Sequence, residues 1–385
     1  MLAIALAARA AGHRGVVAPV ANAAEAGLVP GLGVWPAASL ADAVGLFRED
    51  APPPPPAAAP DAAPLEDDAP DAEDLTDVRG QHSARRALEI AAAGGHHLLL
   101  TGPPGTGKTM LARRLPGILP PLTRDEALEA TRVWSAAGLA SGLLTRRPFR
   151  APHHGVSLAG LMGGGVALRP GEVALAHGGV LYLDELTEFR RDALEALRQP
   201  LESGAYALVR LHARAVFPAR FMLVASMNPC PCGWHGDPHG RCGCTPQVVR
   251  RYQAKLSGPL LDRCDLTVEV PPVDPADLIG GAPGEPTREV RDRVMAARAR
   301  QLARFGPCGA CVNARMGRGD LERHAALGRG ARNLLVEACR KLGASARGHD
   351  RLRRVARTIA DLDGSEAVLE RHVAEATQYR RALEI

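Results

Sequence analysis

The chemistry-bearing residues of this chain begin with a glycine-rich loop at residues 102–109. Its sequence, Gly-Pro-Pro-Gly-Thr-Gly-Lys-Thr, follows an apolar run at 98–100 and precedes a helical pattern. Glycines in this context let backbone N–H groups turn inward around phosphate oxygens, and Lys108 adds its charge while Thr109 offers a hydroxyl to Mg²⁺. The residues expected to surround a nucleotide are Gly102, Pro103, Pro104, Gly105, Thr106, Gly107, Lys108, Thr109 and Met110. The pattern predicts a phosphate-binding loop rather than a chance glycine-rich turn.

An acidic pair and an amide follow two further apolar runs. Asp184 and Glu185 come directly after residues 180–183, and Asn228 follows residues 221–226. Asp184 is expected to hold Mg²⁺ through its water shell, and Glu185 to orient and deprotonate an attacking water. Asn228 is expected to contact that water or the γ-phosphate; alternatively, it caps the turn before Pro229. Together with the loop, these residues predict a site that hydrolyses ATP.

Four cysteines lie within fifteen residues of chain. Cys230, Cys232, Cys242 and Cys244 form two C-x-C pairs that offer enough thiolates for a tetrahedral zinc site. His235 or His239 could replace one of these ligands. The tighter spacing than C-x₂-C leaves a second interpretation open, a glycine- and proline-rich loop of free or redox-active thiols. Cys308 and Cys311 form a separate C-x₂-C that we interpret as incidental.

The spacing of residues in the sequence does not by itself assign a role to several arginines. Arg263 precedes the strand-like run 266–270, where an arginine could reach the γ-phosphate of a neighbouring subunit or be an ordinary structural residue. Arg347, Arg351 and Arg354 share one face of a predicted helix behind a Ser345 cap. One of them senses nucleotide, or all three lie on the surface.

The elements that must position these residues are those of an α/β protein. Short apolar runs at 97–101, 179–183 and 221–226 have the length of buried strands, with helical stretches between them. We predict a P-loop NTPase core at 77–275 with a parallel sheet flanked by helices, followed by a helical lid at 288–385. The lid helices are expected at 288–304, 331–342, 347–362 and 366–383. Residues 51–76, which contain five consecutive prolines and then acidic residues, read as a linker.

The composition and charge of the chain restrict the partners and the location that the protein can have. The chain has 385 residues and a formal charge of +5, but only three of its 47 basic residues are lysines, which indicates a coding bias toward arginine. The basic excess is compatible with nucleic acid, but on charge alone a solvated basic surface is the favoured explanation. No run approaches the length of a membrane span, and Arg9 and Arg14 interrupt the apolar N-terminus, so we expect no membrane association and a cytoplasmic location.

The chain from about residue 77 onward resembles the ComM/YifB-type, magnesium-chelatase-like AAA+ ATPases. The segments that carry the resemblance are VRGQ at 78–81, RPFRAPHH at 147–154, GGG at 163–165, RPGE at 169–172, LAH at 175–177, MNPCPCG at 227–233, LSGPLLDR at 256–263 and VARTIADL at 355–362. Several of these segments are long and idiosyncratic, which makes the resemblance specific.

The resemblance implies a homo-oligomeric ring, a hexamer, with ATP at the subunit interfaces. Arg263 then becomes a finger that acts on a neighbouring subunit, and Arg347 the sensor-2 residue in preference to Arg351. Residues 155–172 become an insert, and residues 206–217 a hairpin, that face the pore. Arg210, His212 and Arg214 become candidate contacts to single-stranded or branched DNA.

The implied activity is that of an ATP-driven DNA translocase or helicase acting in DNA uptake, recombination or branch migration. The alternative is a chelatase-like or chaperone-like motor that remodels a protein or inserts a metal. An inactive remnant with an intact nucleotide site is a third interpretation.

The resemblance is incomplete at residues 1–50. Family members carry a Lon-protease-like domain before the ATPase, and residues 2–7 and 17–26 resemble only its final part. No Ser–Lys protease dyad can be assembled here, because residues 1–50 contain no lysine. We expect no protease activity from this segment.

Overall fold

A computed structural model describes residues 1–47, 56, 73–140, 142–165, 168–210, 213–237, 239–274, 280, 282–306 and 312–380. Its strands are β1 (Gly15–Pro19), β2 (Gly33–Ala37), β3 (Leu98–Thr101), β4 (Phe149–Arg150), β5 (Gly163–Gly164), β6 (Arg169–Pro170), β7 (Val180–Leu183), β8 (Ala205–Arg210), β9 (Ala213–Pro218), β10 (Met222–Met227) and β11 (Leu266–Glu269). The helices of the first half are α1 (Leu2–Ala10), α2 (Val20–Gly27), α3 (Leu40–Gly45), α4 (His82–Gly94), α5 (Lys108–Ile118), α6 (Arg124–Ala137), α7 (Leu158–Met162) and α8 (Glu172–Leu175). Those of the second half are α9 (Arg191–Ala196), α10 (Arg198–Ser203), α11 (Pro246–Gln253), α12 (Gly258–Leu261), α13 (Thr287–Phe305), α14 (Arg318–His324), α15 (Arg329–Lys341), α16 (Ala346–Leu362) and α17 (Glu370–Gln378).

The centre of the fold is a five-stranded parallel sheet in the order β11-β3-β10-β7-β4. Every residue of β3, β7 and β10 is buried, as expected for parallel strands covered on both faces. The predicted parallel sheet with flanking helices is therefore confirmed. The short edge strand β4 was not predicted, because two residues leave no periodic pattern to detect.

The register of the sheet decides which residues meet. Thr101 at the end of β3 is paired with Met227 of β10 and with Glu269 of β11, and Leu183 of β7 is paired with Ala225. Residues that follow these strands therefore share the carboxyl edge of the sheet, and residues that precede them share the amino edge. In open α/β sheets, ligands bind outside the carboxyl ends of the strands.

The C-terminal helices pack on the sheet core through one continuous apolar cluster. Leu335 of α15, Ile359 of α16 and Val373 of α17 lie in the same buried cluster as Leu98 of β3. The helix predicted over 366–383 is wrong at both ends, since α17 begins at Glu370 and ends at Gln378. Residues 365–366 instead offer their carbonyls to the buried guanidinium of Arg357, which holds this part of the chain out of the helix.

The N-terminal segment is a small α/β unit in which β1 and β2 pair in parallel. Leu2 and Val34 share an apolar cluster with Leu128 of α6, so the segment is packed against the domain that contains the central sheet. Glu25 adds polar contacts to the Met1 amino group and to Ser135 of α6. Its assignment to a partial Lon-protease-like domain stays a prediction.

Two hairpins project from the core. The insert predicted at 155–172 contains α7 and the antiparallel pair β5–β6, and the predicted 206–217 segment is the antiparallel pair β8–β9. His212, Cys308, Cys311 and nearly all of the predicted linker lie outside the described residues. Across the ranges that the structure describes, no helix has both the length and the apolar character needed to cross a membrane.

Candidate nucleotide-binding site

The loop at 102–109 connects β3 to α5 at the carboxyl edge of the sheet. Gly105 and Gly107 adopt φ values of +77° and +87°, which side chains rarely tolerate, and a Cβ on Gly102 would lie 2.2 Å from the Val270 carbonyl. The Lys108 ammonium donates to the carbonyls of Gly102 and Pro103, both at 2.7 Å. The loop thus has the backbone freedom and the inward-facing cation that phosphate binding requires.

Thr109 and Asp184 meet at the start of α5. The Thr109 hydroxyl donates to Asp184 Oδ2 at 2.9 Å, and Ser226 of β10 donates to Asp184 Oδ1. The Tyr182 hydroxyl lies between them, 3.1 Å from Thr109 Oγ1 and 3.2 Å from Ser226 Oγ. Hydroxyl and carboxylate oxygens are ligands that Mg²⁺ prefers, so Thr109 and Asp184 would suit a magnesium ion.

The electrostatics of the site follow from burial and hydrogen bonding. Burial favours a raised pKa for the Asp184 carboxyl, but hydrogen bonds from Ser226, Thr109 and Tyr182 outweigh it and hold that pKa below its ordinary value. Burial lowers the pKa of Lys108, and the nearby Asp184 and Glu185 partly oppose this shift. Asp184 is therefore an anion well below neutral pH, ready to hold a cation.

Asn228 and Glu185 flank the same loop. Lys108 Nζ donates to Asn228 Oδ1 at 3.2 Å, so the amide lies beside the lysine of the loop. Glu185 adopts a left-handed backbone conformation with φ 53°, and its side chain is 54% exposed. The structure thus brings the predicted site residues together at one place: Lys108, Thr109, Asp184, Glu185 and Asn228.

The four-cysteine loop lies directly beside the phosphate-binding loop. The Sγ atoms of its cysteines all lie within 4.8 Å of one another, with Cys230–Cys232 at 3.3 Å and Cys230–Cys242 at 3.8 Å. A tetrahedral zinc site with Zn–S bonds of about 2.3 Å has S···S edges of about 3.8 Å. A Cβ on Gly233 would lie 2.5 Å from Pro104, so the two loops pack closely. The thiols fit a zinc ion, and the grouping needs neither His235 nor His239.

The acidity of these thiols is uneven. A backbone hydrogen bond from Trp234 and the neighbouring Cys230 thiol lower the pKa of Cys232 to about 6. For Cys242, the Cys244 backbone N–H favours a lower pKa, but desolvation and the neighbouring thiols raise it to about 11. One thiolate is thus present at neutral pH to begin metal binding, which requires deprotonated cysteine.

The arginines that were predicted to contact nucleotide lie at the amino edge of the sheet, opposite the phosphate-binding loop. Arg263, Arg347, Arg351 and Arg354 line a cleft of 1210 Å³ at the amino edge, formed with His97, Gly178 and Arg220, and its described lining includes no residue of 102–109. The Arg351 side chain is buried beside Asp262 and Asp265, at 3.5 and 4.0 Å, so it is not a surface residue. The structure therefore does not bring Arg263 or Arg347 to the phosphate-binding loop of their own chain.

Three polar residues of the site were not predicted from the sequence. Tyr182 and Ser226 lie inside apolar strands, where a buried hydroxyl needs a partner, and that requirement was the available signal. His154, whose Nδ1 is 3.4 Å from Glu185 Oε2, was visible only as part of the RPFRAPHH segment.

Comparison with known proteins gives matches along almost the whole chain. Residues 74–278 match the family described as "Magnesium chelatase, subunit ChlI", and residues 284–380 match its C-terminal counterpart. Protein YifB of Salmonella typhimurium is 44% identical over 371 residues, covering 95% of this chain and 71% of that protein. Competence protein ComM of Haemophilus influenzae is 48% identical over 310 residues, covering 80% of this chain and 60% of that protein. The magnesium-chelatase 38 kDa subunit of Rhodobacter capsulatus is 28% identical over 343 residues, covering 77% of this chain and 92% of that protein.

The family match rests on long coverage as well as on identity. Two consecutive regions account for the sheet core and the C-terminal helices, and the relatives extend the similarity into the N-terminal segment. The chain belongs to the ComM/YifB family of magnesium-chelatase-like AAA+ proteins.

Proposed function

We propose that the protein is an ATP-hydrolysing subunit of a homo-oligomeric ring, in which each site is completed by a neighbouring subunit. The observation that carries the proposal is the separation of two half-sites. Lys108, Asp184 and Asn228 converge at the carboxyl edge of the sheet, whereas Arg263 and Arg347 lie at the amino edge. A head-to-tail ring apposes two such different faces at every interface.

Each residue then has a role in hydrolysis. Lys108 and the loop N–H groups bind the β- and γ-phosphates, and Asn228 and Glu185 position the attacking water, whose proton passes to Glu185. Thr109 and Asp184 would hold Mg²⁺, which would supply charge neutralisation at the phosphates. Arg263 and Arg347 of the adjacent subunit stabilise charge that develops on the γ-phosphoryl group.

We infer that the motor acts on DNA. Arg210 and Arg214 are exposed near the tip of the β8–β9 hairpin. In the hairpin register Arg210 is paired with Ala213, and Arg214 with Val209. The hairpin is tied to the insert, since the Tyr206 hydroxyl donates to the Met162 carbonyl at 2.5 Å. One relative is named as a competence protein, and a competence role is compatible with a DNA substrate here. Contacts of this kind position a nucleic-acid backbone without reading its sequence.

A second candidate is a motor that remodels a protein or inserts a metal. The family description and the similarity to a magnesium-chelatase subunit favour it. ATP turnover measured with and without single-stranded DNA separates the two candidates. Stimulation by DNA, together with salt-sensitive binding, supports the translocase. Absence of both stimulation and binding at low salt refutes it and leaves the remodelling motor.

Two variants test the nucleotide site itself. Lys108→Ala is expected to abolish ATP binding, whereas Glu185→Gln is expected to bind ATP and stall hydrolysis. Lys341→Ala is the matched control, because its exposed side chain pairs only with Glu337 on α15 among the described residues. Normal turnover by Glu185→Gln would remove Glu185 as the base.

We also propose that Cys230, Cys232, Cys242 and Cys244 bind one zinc ion. Metal bound there would fix Gly233 against Pro104 and so hold the phosphate-binding loop in place. Metal analysis of protein purified without oxygen tests the site, with about one zinc per chain expected for a single tetrahedral centre.

A further inference from the structure

A short segment that follows β11 runs across the base of the phosphate-binding loop. We call residues 270–273 the strap; they precede α13 in the chain. The Val270 N–H donates to the Thr101 carbonyl at 2.7 Å, and a Cβ on Gly102 would lie 2.2 Å from the Val270 carbonyl. Any displacement of the strap toward the loop would therefore displace the first residue of the loop.

The side chain of Gln81 lies between the strap and the loop. Its Nε2 donates to the Pro271 carbonyl of the strap at 2.6 Å, and the same atom lies 3.5 Å from the Thr106 carbonyl of the loop. The first contact is a short hydrogen bond, whereas the second is too long to be a strong one. A shift of the loop by about 0.5 Å toward the amide would bring the second contact into the ordinary hydrogen-bond range. Because an amide nitrogen carries two hydrogens, Gln81 can donate to both carbonyls at once.

The backbone of Gln81 has a conformation that favours glycine. Its φ of 49° and ψ of 36° are left-handed, and across the described residues the other non-glycine positions with positive φ are Leu168 and Glu185. This conformation costs free energy for a residue that carries a side chain. Gln81 directly precedes α4, but its side chain makes no capping hydrogen bond to that helix. The amide is therefore used on the strap, and a strained residue with such a contact is a candidate for a functional role.

The segment that precedes α4 is also joined to the start of α13. The Leu75 N–H donates to Thr287 Oγ1 at 2.9 Å, and the Thr287 N–H donates to Asp74 Oδ1 at 3.2 Å. The Gly284 N–H donates to the Thr76 carbonyl at 2.8 Å. These contacts connect the first turn of α13 to the residues that lead into α4.

We propose that Gln81 is a positioning residue that couples nucleotide binding at the loop to the start of α13. The inference rests on the proposed function and names how the nucleotide site regulates the C-terminal helices. When phosphate draws the N–H groups of the loop inward, the Thr106 carbonyl comes within reach of the Gln81 amide. The amide then bridges the loop and the strap, and the segment before it holds the first turn of α13. The same bridge strengthens ATP binding, because a coupling free energy between two sites acts equally in both directions.

The test measures hydrogen exchange of residues 282–290 in the full chain, with and without a non-hydrolysable ATP analogue. In the wild type the analogue should slow exchange there about fivefold, the ratio that corresponds to one net hydrogen bond. Gln81→Met keeps the length of the side chain without its donor, so the analogue should slow exchange by less than about twofold. By linkage, the KM for ATP should rise about fivefold in this variant, while kcat at saturating ATP stays within about twofold.

Two controls assign the effect to the amide. Gln81→Gly also removes the donor but relaxes the left-handed backbone. It should lose the coupling as Gln81→Met does, although it should unfold at a higher urea concentration than that variant. Gln199→Met makes the same chemical change at an exposed position of α10 and should leave exchange and KM unchanged.

Three results would overturn the proposal. They are full slowing of exchange by the analogue in Gln81→Met, coupling that Gln81→Gly retains, and exchange that rises equally with and without the analogue. The last result would assign Gln81 a structural role alone. A wild type that binds no ATP would refute the proposed function and this inference with it, whereas normal ATP binding with an unchanged Gln81→Met refutes the inference alone.

Discussion

Arg263 provides the sharpest test of a site shared between subunits. It precedes β11 at the amino edge of the sheet, whereas Lys108 follows β3 at the carboxyl edge. The four residues of β3 alone separate these edges by about 13 Å, well beyond hydrogen-bond reach. Arg263→Ala is therefore expected to spare ATP binding by its own chain. It should lower turnover by about 10³-fold, or about 4 kcal/mol of transition-state stabilisation, as for other arginine fingers.

The assay mixes two inactive variants. Arg263→Ala keeps an intact phosphate-binding face, and Glu185→Gln keeps an intact arginine face. In an equal, randomly exchanged mixture, about one quarter of interfaces combine the two intact faces, so about one quarter of wild-type turnover should return. Lys108→Ala mixed with Glu185→Gln is the matched control, because both changes damage the same face and no interface is restored.

A mixture of Arg263→Ala and Glu185→Gln that is no faster than the mean of its components would refute the shared site. Glu202→Gln refines the result. Glu202 pairs with Arg263 within the chain, so its neutralisation frees the guanidinium and should not reduce turnover.

Three further outcomes are expected. The double variant Cys230→Ser, Cys232→Ser should lose zinc, measured by metal analysis, and retained zinc would contradict the site. It should also weaken ATP binding, measured by nucleotide titration, because the four-cysteine loop packs on Pro104. Burial lowers the pKa of His97 from 6.5 to about 4. The stability that depends on neutral His97 is therefore complete above pH 6.5 and is lost as the pH falls toward 4, by at most about 3 kcal/mol. His97→Gln should flatten this pH dependence of the unfolding free energy, measured in urea, and an unchanged slope would refute the assignment. Asp361→Asn should lower the free energy of unfolding by about 3–5 kcal/mol, because it leaves the buried Arg357 without its charge partner. A loss below about 1 kcal/mol would show that the Arg357–Asp361 ion pair is dispensable.

The buried polar network around Asp361 also explains how the C-terminal helices are fixed. Asp361 accepts from Arg304 at 2.6 Å and from Asn313 at 2.7 Å, and the neighbouring Thr358 joins His96 at 2.8 Å. His96 in turn lies 2.9 Å from Asp265 at the amino edge. These contacts join α16 to the wall that carries Arg263, so the lid and the arginine cleft form one continuous structure.

The local chemistry of this protein is predictable from its sequence. The loop at 102–109, Asp184 with Glu185, and the strands that precede them are contiguous in the chain, so spacing and apolar runs suffice to predict them. The parallel sheet followed from the same runs, since fully buried strands separated by helices have few other arrangements. The four cysteines were visible for the same reason, being close in sequence.

Contacts between residues that are distant in sequence became visible in the folded structure. The strand order places Ser226 and Tyr182 around Asp184, and the start of α17 depends on the carbonyls that Arg357 binds. The location of Arg347 in the same cleft as Arg263, away from the nucleotide loop, depends on how α16 packs against the amino edge. The His154–Glu185 contact joins residues from different strands. No local pattern encodes these pairings, because they arise from the register of the sheet and the packing of helices upon it.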